Sequence, residues 1–272
     1  MMTNKSRGAL AFRDYLNDEE EFSLYELIKS CNKNDNTTYS FPDDADCYGL
    51  LYLNGKLCSA IALFGIGGSS GGRTVDEIAA WTDPEYRKNG FFKRLYMELN
   101  EIYELAEVNR FAVYDNDSAI GTLKAIGAEH TYDECIMNLS FNSEADIYAN
   151  ELSFDIYSIL NEMNITEDGI CECRYGSCSY RIYDDRAYIY GVLIHDSFRS
   201  KGYGFKMMYS LLKHLRKKEI KSCFLEVSSL NIPAVSLYEK LGFKTGECIK
   251  YYEKPVILNE NVNYDKIKSY DN

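Results

Sequence analysis

The segment Arg199-Ser200-Lys201-Gly202-Tyr203-Gly204 places two cations and two glycines between a strand-like run ending at Ile194 and an amphipathic run that begins near Gly202. A turn of this kind can cradle an anion. Successive backbone N–H groups and the positive end of a helix dipole converge on one point, and glycine lets a ligand approach the main chain with no Cβ in the way. Arg199 and Lys201 would add full charges beside those partial ones, so the matching ligand is a phosphate or pyrophosphate. An ordinary glycine-containing turn into a helix has the same short string, and the loop alone does not choose between the two.

The choice comes from the run Leu225 to Phe243, which carries Asn231, Ala234, Tyr238, Gly242 and Phe243 at fixed spacing. RxxGxG followed by NxxAxxxYxxxGF resembles the GNAT superfamily of N-acetyltransferases, closely over Tyr175 to Tyr252 and more weakly over Gly49 to Leu139. The resemblance implies transfer of an acetyl group from acetyl-CoA to a primary amine by direct attack in a ternary complex, with no metal. It assigns the backbone of Val192, Leu193 and Ile194 to the pantetheine arm and acetyl carbonyl. Arg199, Ser200, Lys201, Gly202, Tyr203 and Gly204 fall to the pyrophosphate, Asn231 to the CoA arm and Tyr238 to the general acid. Elementary chemistry agrees with the last role: the departing thiolate has a pKa of about 8.5, and a phenol with pKa of about 10 is still protonated at neutral pH. Without the resemblance, Tyr238 is one more aromatic in a chain with 24 tyrosines.

Many members of the family carry a carboxylate on the fourth strand to deprotonate the amine, and here Tyr188 and Tyr190 stand in that region. Water, Glu226 or Asp196 could take the proton. Glu226 is the tentative base and reads equally as a structural strand residue. Two other readings stay open: a noncatalytic CoA-binding or sensing module, and an acyltransferase using another acyl donor or a thiol-precursor acceptor.

Those residues need a scaffold, and the sequence shows it twice. Asp83 to Gly90 parallels His195 to Gly202, and Asn116 to Gly127 parallels Asn231 to Gly242. The fold class expected is α+β, as two tandem GNAT-like domains over residues 1–143 and 144–272, each a mixed, mostly antiparallel sheet flanked by helices. In the second copy, Ile170 to Tyr175, Cys178 to Tyr183 and Arg186 to His195 read as a strand meander. Met208, Leu211, Leu212 and Leu215 give a helix over Gly202 to Lys218 its buried face, and a strand, a helix over Ile232 to Leu241 and a strand near Glu247 to Tyr252 follow. The first copy repeats the order, with Glu134 to Phe141 as its closing strand and a boundary near Asn142 to Ala145. It has Phe92 in place of the loop's second glycine and Leu123 in place of Tyr238, so it is catalytically degenerate, since leucine protonates nothing. Gly65 to Gly72 reads as a hairpin loop or substrate lid, because it lacks the third glycine of a dinucleotide fingerprint.

Composition bounds the rest. At 272 residues two domains are expected, and 46% apolar residues suffice for a core. The net charge of −12 argues against nucleic acid and is compatible with a small-molecule or peptide amine as acceptor. No apolar run approaches the ~20 residues of a membrane span, and no secretory signal is evident, so the expectation is a cytoplasmic monomer or homodimer. The nine cysteines are accordingly expected as reduced, mostly buried thiols; Cys171, Cys173 and Cys178 match no zinc-site spacing.

Overall fold

The computed structural model describes residues 8–70, 73–103, 106–141 and 163–256. In chain order the elements are β1 (Ala9–Arg13), α1 (Asp18–Asp35), β2 (Cys47–Leu53), β3 (Lys56–Ser70), β4 (Arg73–Thr82), α2 (Phe91–Ile102), β5 (Val108–Val113), α3 (Asp117–Ala125) and β6 (Glu129–Ser140). The second half continues with β7 (Asn164–Ile165), β8 (Ile170–Cys173), β9 (Gly176–Tyr183), β10 (Arg186–Ile194), α4 (Tyr203–Lys217), β11 (Ser222–Ser228), α5 (Ile232–Lys240) and β12 (Lys244–Pro255). This is the expected α+β arrangement, a mixed sheet flanked by helices. The expected boundary near Asn142 to Ala145 lies outside the described residues.

The chain forms two compact units: one of residues 1–131 with 250–272, the other of residues 132–249. In the first, the strand order is β1-β2-β3-β4-β5-β12. All neighbours are antiparallel except β4 and β5, which run parallel. Helix α1 is started by a capping box, Asn17 accepting from the Glu20 N–H while the Glu20 carboxylate accepts from the Asn17 N–H. It lays Leu24, Leu27, Ile28 and Cys31 on one sheet face, against Leu50, Ala60 and Ala62. The opposite face holds Ile61, Leu63 and Phe111 with Leu95 and Leu99 of α2. Because both faces are covered, β3 reads as a continuous apolar run rather than an alternating one.

The second unit has the order β12-β6-β11-β10-β9-β8-β7. The expected seam of α4 is fully buried at Met208, Leu211, Leu212 and Leu215, packed with Ala187, Ile189, Cys223 and Leu225 in one core. Strands β10 and β11 are the parallel pair, joined by α4 as the crossover.

Three sequence expectations are corrected. The strand expected to close the first copy, β6, pairs instead with β11, from Ser140 opposite Ser222 to Glu134 opposite Ser228. The end of β12 pairs with β5, from Lys250 opposite Val113 to Pro255 opposite Val108. Each unit is therefore finished by a strand from the other half of the sequence; alternation identifies a strand but does not name its partner. Gly65 to Ser70 belongs to β3 rather than to a loop, with an irregular register between Ile66 and Ser69; Gly71 and Gly72 lie outside the described residues. The cysteines are not all reduced: Cys135 and Cys248, far apart in sequence but both within the second unit, form a disulfide, leaving seven free thiols.

Closing so long a loop should contribute about 2–4 kcal/mol by restricting the unfolded chain. Cys135→Ser should lower the unfolding free energy by that order, and denaturation without reductant should expose seven reactive thiols. Nine would show that the bond does not form.

Candidate active site

The second unit is organised around a fork. Strand β10 pairs with β11 only at Arg186, Ala187 and Tyr188, opposite Ser222, Cys223 and Phe224, and the two strands then diverge. On its other edge β10 stays paired with β9 through Leu193 opposite Ser177 and Ile194 opposite Gly176, after a bulge between Tyr190 and Leu193. Gly191, at φ +62°, supplies the left-handed residue the bulge requires. The β11-facing edge of Tyr190 to Ile194 is thus left without a strand partner. An extended ligand with amide groups could pair there.

The loop beyond β10 is wound as an anion cradle. Ser200 at φ 58° and Gly202 at φ 81° are both left-handed, and α4 begins with no side-chain cap on its first N–H groups. Arg199 is anchored by its Nε, which donates to the Ile194 carbonyl at 3.0 Å, while its guanidinium also meets the Asp196 carboxylate at 2.9 Å. Both side chains of that pair are exposed, so water screens it. Lys201 Nζ donates to the Ser197 carbonyl at 2.8 Å. The Tyr203 ring stacks on Tyr175 at 4.0 Å and meets Phe198 edge-on, fixing the start of the helix. Gly204 packs closely: a Cβ there would lie 3.3 Å from a Leu237 methyl of α5, a tight contact, and 3.4 Å from Ile194, an ordinary one.

Tyr238 is buried on α5, in the same core as Leu225, Val227 and Cys178. Burial, and then the neighbouring Cys178, push its phenol up to about 12. The group therefore holds its proton throughout the neutral range. Asn231 is exposed and caps α5, its side chain accepting from the Ala234 N–H at 3.3 Å. Glu226 lies on β11 just past the fork and accepts a hydrogen bond from the Tyr188 hydroxyl at 3.1 Å. Strand alternation puts Glu226 on the face opposite Leu225 and Val227, hence opposite Tyr238. Tyr188 stacks between Tyr190 at 5.4 Å and Phe224 at 5.0 Å, which gives that face an aromatic floor. Asp196 is engaged with Arg199. Among the described residues there is no group of three or more His, Cys, Asp or Glu placed to hold a metal ion, and no helix is long and apolar enough to cross a membrane.

The first unit has a cleft of its own. Strands β4 and β5 pair at Val75, Asp76 and Glu77 and then separate, and a cavity of about 590 Å³ opens there, lined among others by Asp35, Arg87, Phe92, Asn116 and Leu123. Its loop residues were legible through the internal repeat; Asp35, from α1, was not, because nothing in the motif reaches that far back along the chain.

A parallel pair joined by a crossover helix, its strands parting ahead of a positive-φ anion loop, is the arrangement of the GNAT class of fold. Residues 165–243 match the acetyltransferase (GNAT) family. Among solved structures, the tandem GNAT protein from the clavulanic acid biosynthesis pathway shares the fold with a TM-score of 0.57 at 11% identity, over 93% of this chain and 100% of that one. Mycothiol acetyltransferase of Corynebacterium glutamicum is 38% identical over 66 residues, 24% of this chain and 23% of that protein. N-alpha-acetyltransferase 60 of Drosophila melanogaster is 29% identical over 115 residues, 41% of this chain and 40% of that protein. The chain thus spans less than half the length of these two acetyltransferases of Corynebacterium glutamicum and Drosophila melanogaster.

The raised Tyr238 pKa carries a sign that can be measured. A phenol whose pKa is about 10 in the unfolded chain and about 12 in the folded one contributes stability that is complete below pH ~10 and lost as the pH rises toward 12. Subtracting the tyrosinate absorbance titration of Tyr238→Phe from that of the parent should reveal one phenol titrating near 12. A difference titrating near 10 would show that Tyr238 is solvated.

Proposed function

We propose that this chain is an N-acetyltransferase moving an acetyl group from acetyl-CoA to a primary amine of a small molecule or peptide, with the working site in the C-terminal of two tandem GNAT-like copies, residues 1–143 and 144–272. The observation that carries the reading is the fork between β10 and β11, which leaves an unpaired strand edge in the unit whose core holds the buried Tyr238. The thioester arm lies along Val192, Leu193 and Ile194, and the pyrophosphate sits on Arg199 to Gly204, with Asn231 against the CoA arm. The amine nitrogen attacks the thioester carbonyl carbon, the carbon–sulfur bond breaks, and Tyr238 gives its proton to the departing thiolate. The proton shed by the amine goes to Glu226, directly or through water. Acid and base stand on opposite faces of β11, which suits attack from one side and departure from the other. Positioning of both reactants supplies most of the acceleration, as expected when no covalent intermediate is formed. Seven free thiols favour a cytoplasmic setting, and the Cys135–Cys248 disulfide argues against it.

The test is release of free CoA thiol from acetyl-CoA against a panel of amines, polyamines and peptides. Tyr238→Phe should lower kcat about 10²–10⁴-fold, the ordinary weight of a general acid, while CoA affinity measured by calorimetry stays nearly unchanged. Equal turnover in mutant and parent would remove Tyr238 as the acid. CoA binding with no release from any amine would favour a sensing module, and competition between acyl donors separates acetyl-CoA from a different thioester.

A further inference from the structure

The two anion loops are wound almost identically. Arg87 and Arg199 have φ and ψ of −63°, 160° and −63°, 155°. Lys88 and Ser200 follow at φ 62° and 58°, and Gly90 and Gly202 at 79° and 81°. Arg87 Nε donates to the Thr82 carbonyl at 3.1 Å, as Arg199 Nε does to Ile194. Helix α2, like α4, starts without a side-chain cap. By backbone alone, the cleft of the first unit could cradle a pyrophosphate as well as the second.

The difference is what the arginine already holds. Both terminal nitrogens of Arg87 donate to the Asp35 carboxylate, at 2.7 and 2.6 Å, a bidentate pair with both side chains largely shielded from water. Arg199 makes a single contact with an exposed carboxylate. Asp35 is the last residue of α1, the negative end of that helix, where an acid is unfavourable unless a cation meets it. Arg87 keeps its carboxyl below the ordinary carboxylate range, so it is charged at neutral pH. A pyrophosphate entering this loop would have to displace a partly desolvated carboxylate from its counter-charge Arg87, or lie against it. Lys88 and Lys93 also line the cleft, but they are exposed, so their attraction is screened.

We propose that Asp35 is a specificity determinant: it occupies the anion-binding arginine of the N-terminal cleft and excludes the CoA pyrophosphate from it, so that the chain holds one CoA rather than two. This rests on the reading that the C-terminal loop binds CoA.

Calorimetric titration of acetyl-CoA into the full chain tests it. The parent should bind one equivalent, Asp35→Ala should bind two, and the double variant Asp35→Ala/Arg87→Ala should return to one. Asp35→Asn, which keeps the size and removes the charge, should also gain the second site, and it decides the matter if the alanine variant fails to fold. Two equivalents in the parent, or one in both folded Asp35 variants, would overturn the proposal. No binding in the parent would instead defeat the C-terminal assignment; gain of one equivalent in Asp35→Asn would then still sustain the role of Asp35, and no gain would end it.

Discussion

Everything at the candidate site follows from one constraint, the short length over which two parallel strands remain paired. Strands β10 and β11 are linked by α4, and the helix must leave the end of β10 and return to the start of β11 while burying its own apolar stripe on the sheet. Three residues of pairing satisfy that connection. Beyond Tyr188 the strands part, and a backbone edge that would otherwise be consumed by the sheet becomes available to a ligand. The bulge at Gly191, the left-handed loop and the glycine at position 204 all lie along this opening.

The loop arginine shows how one side chain can serve the fold and a site together. In both units its Nε ties the turn to the strand it leaves, which fixes the loop without using the terminal nitrogens. What those nitrogens meet then separates two loops with the same backbone: a shielded bidentate carboxylate in one, an exposed and screened contact in the other. Local conformation is thus repeated while electrostatic character diverges. The same holds for the helix that follows each second strand, where Tyr238 in one unit is answered by Leu123 in the other, each buried at its place.

The sheets are completed by long-range pairings. β6 leaves the first half of the sequence to lie beside β11, and the end of β12 returns to β5. The bond between Cys135 and Cys248 lies near those crossings, on β6 and β12 within the second unit. A contact of that sequence separation is costly in chain entropy until the surrounding strands are assembled, and the covalent link reduces the cost once made.

The sequence alone was enough for most of the elements and their order, since helical stripes such as Met208, Leu211, Leu212 and Leu215, and the β-branched and aromatic runs of β8 to β10, state their own periodicity. It also placed the RxxGxG loop and Tyr238, because both are carried by short strings with fixed spacing. It missed β1, whose five residues are too few for a pattern to stand out, and it misread the glycine-rich end of β3 as a loop, because glycine content marks turns in general and cannot register pairing with β4. Only the tertiary structure decided the partners: which sheet β6 and β12 complete, which cysteines meet, and that Asp35 of α1 reaches Arg87. The physical reason is common to all of these. Periodicity and turn chemistry are local properties of the chain, whereas strand pairing, thiol proximity and charge neutralisation depend on the position of groups dozens of residues away, which exists only after the fold has formed.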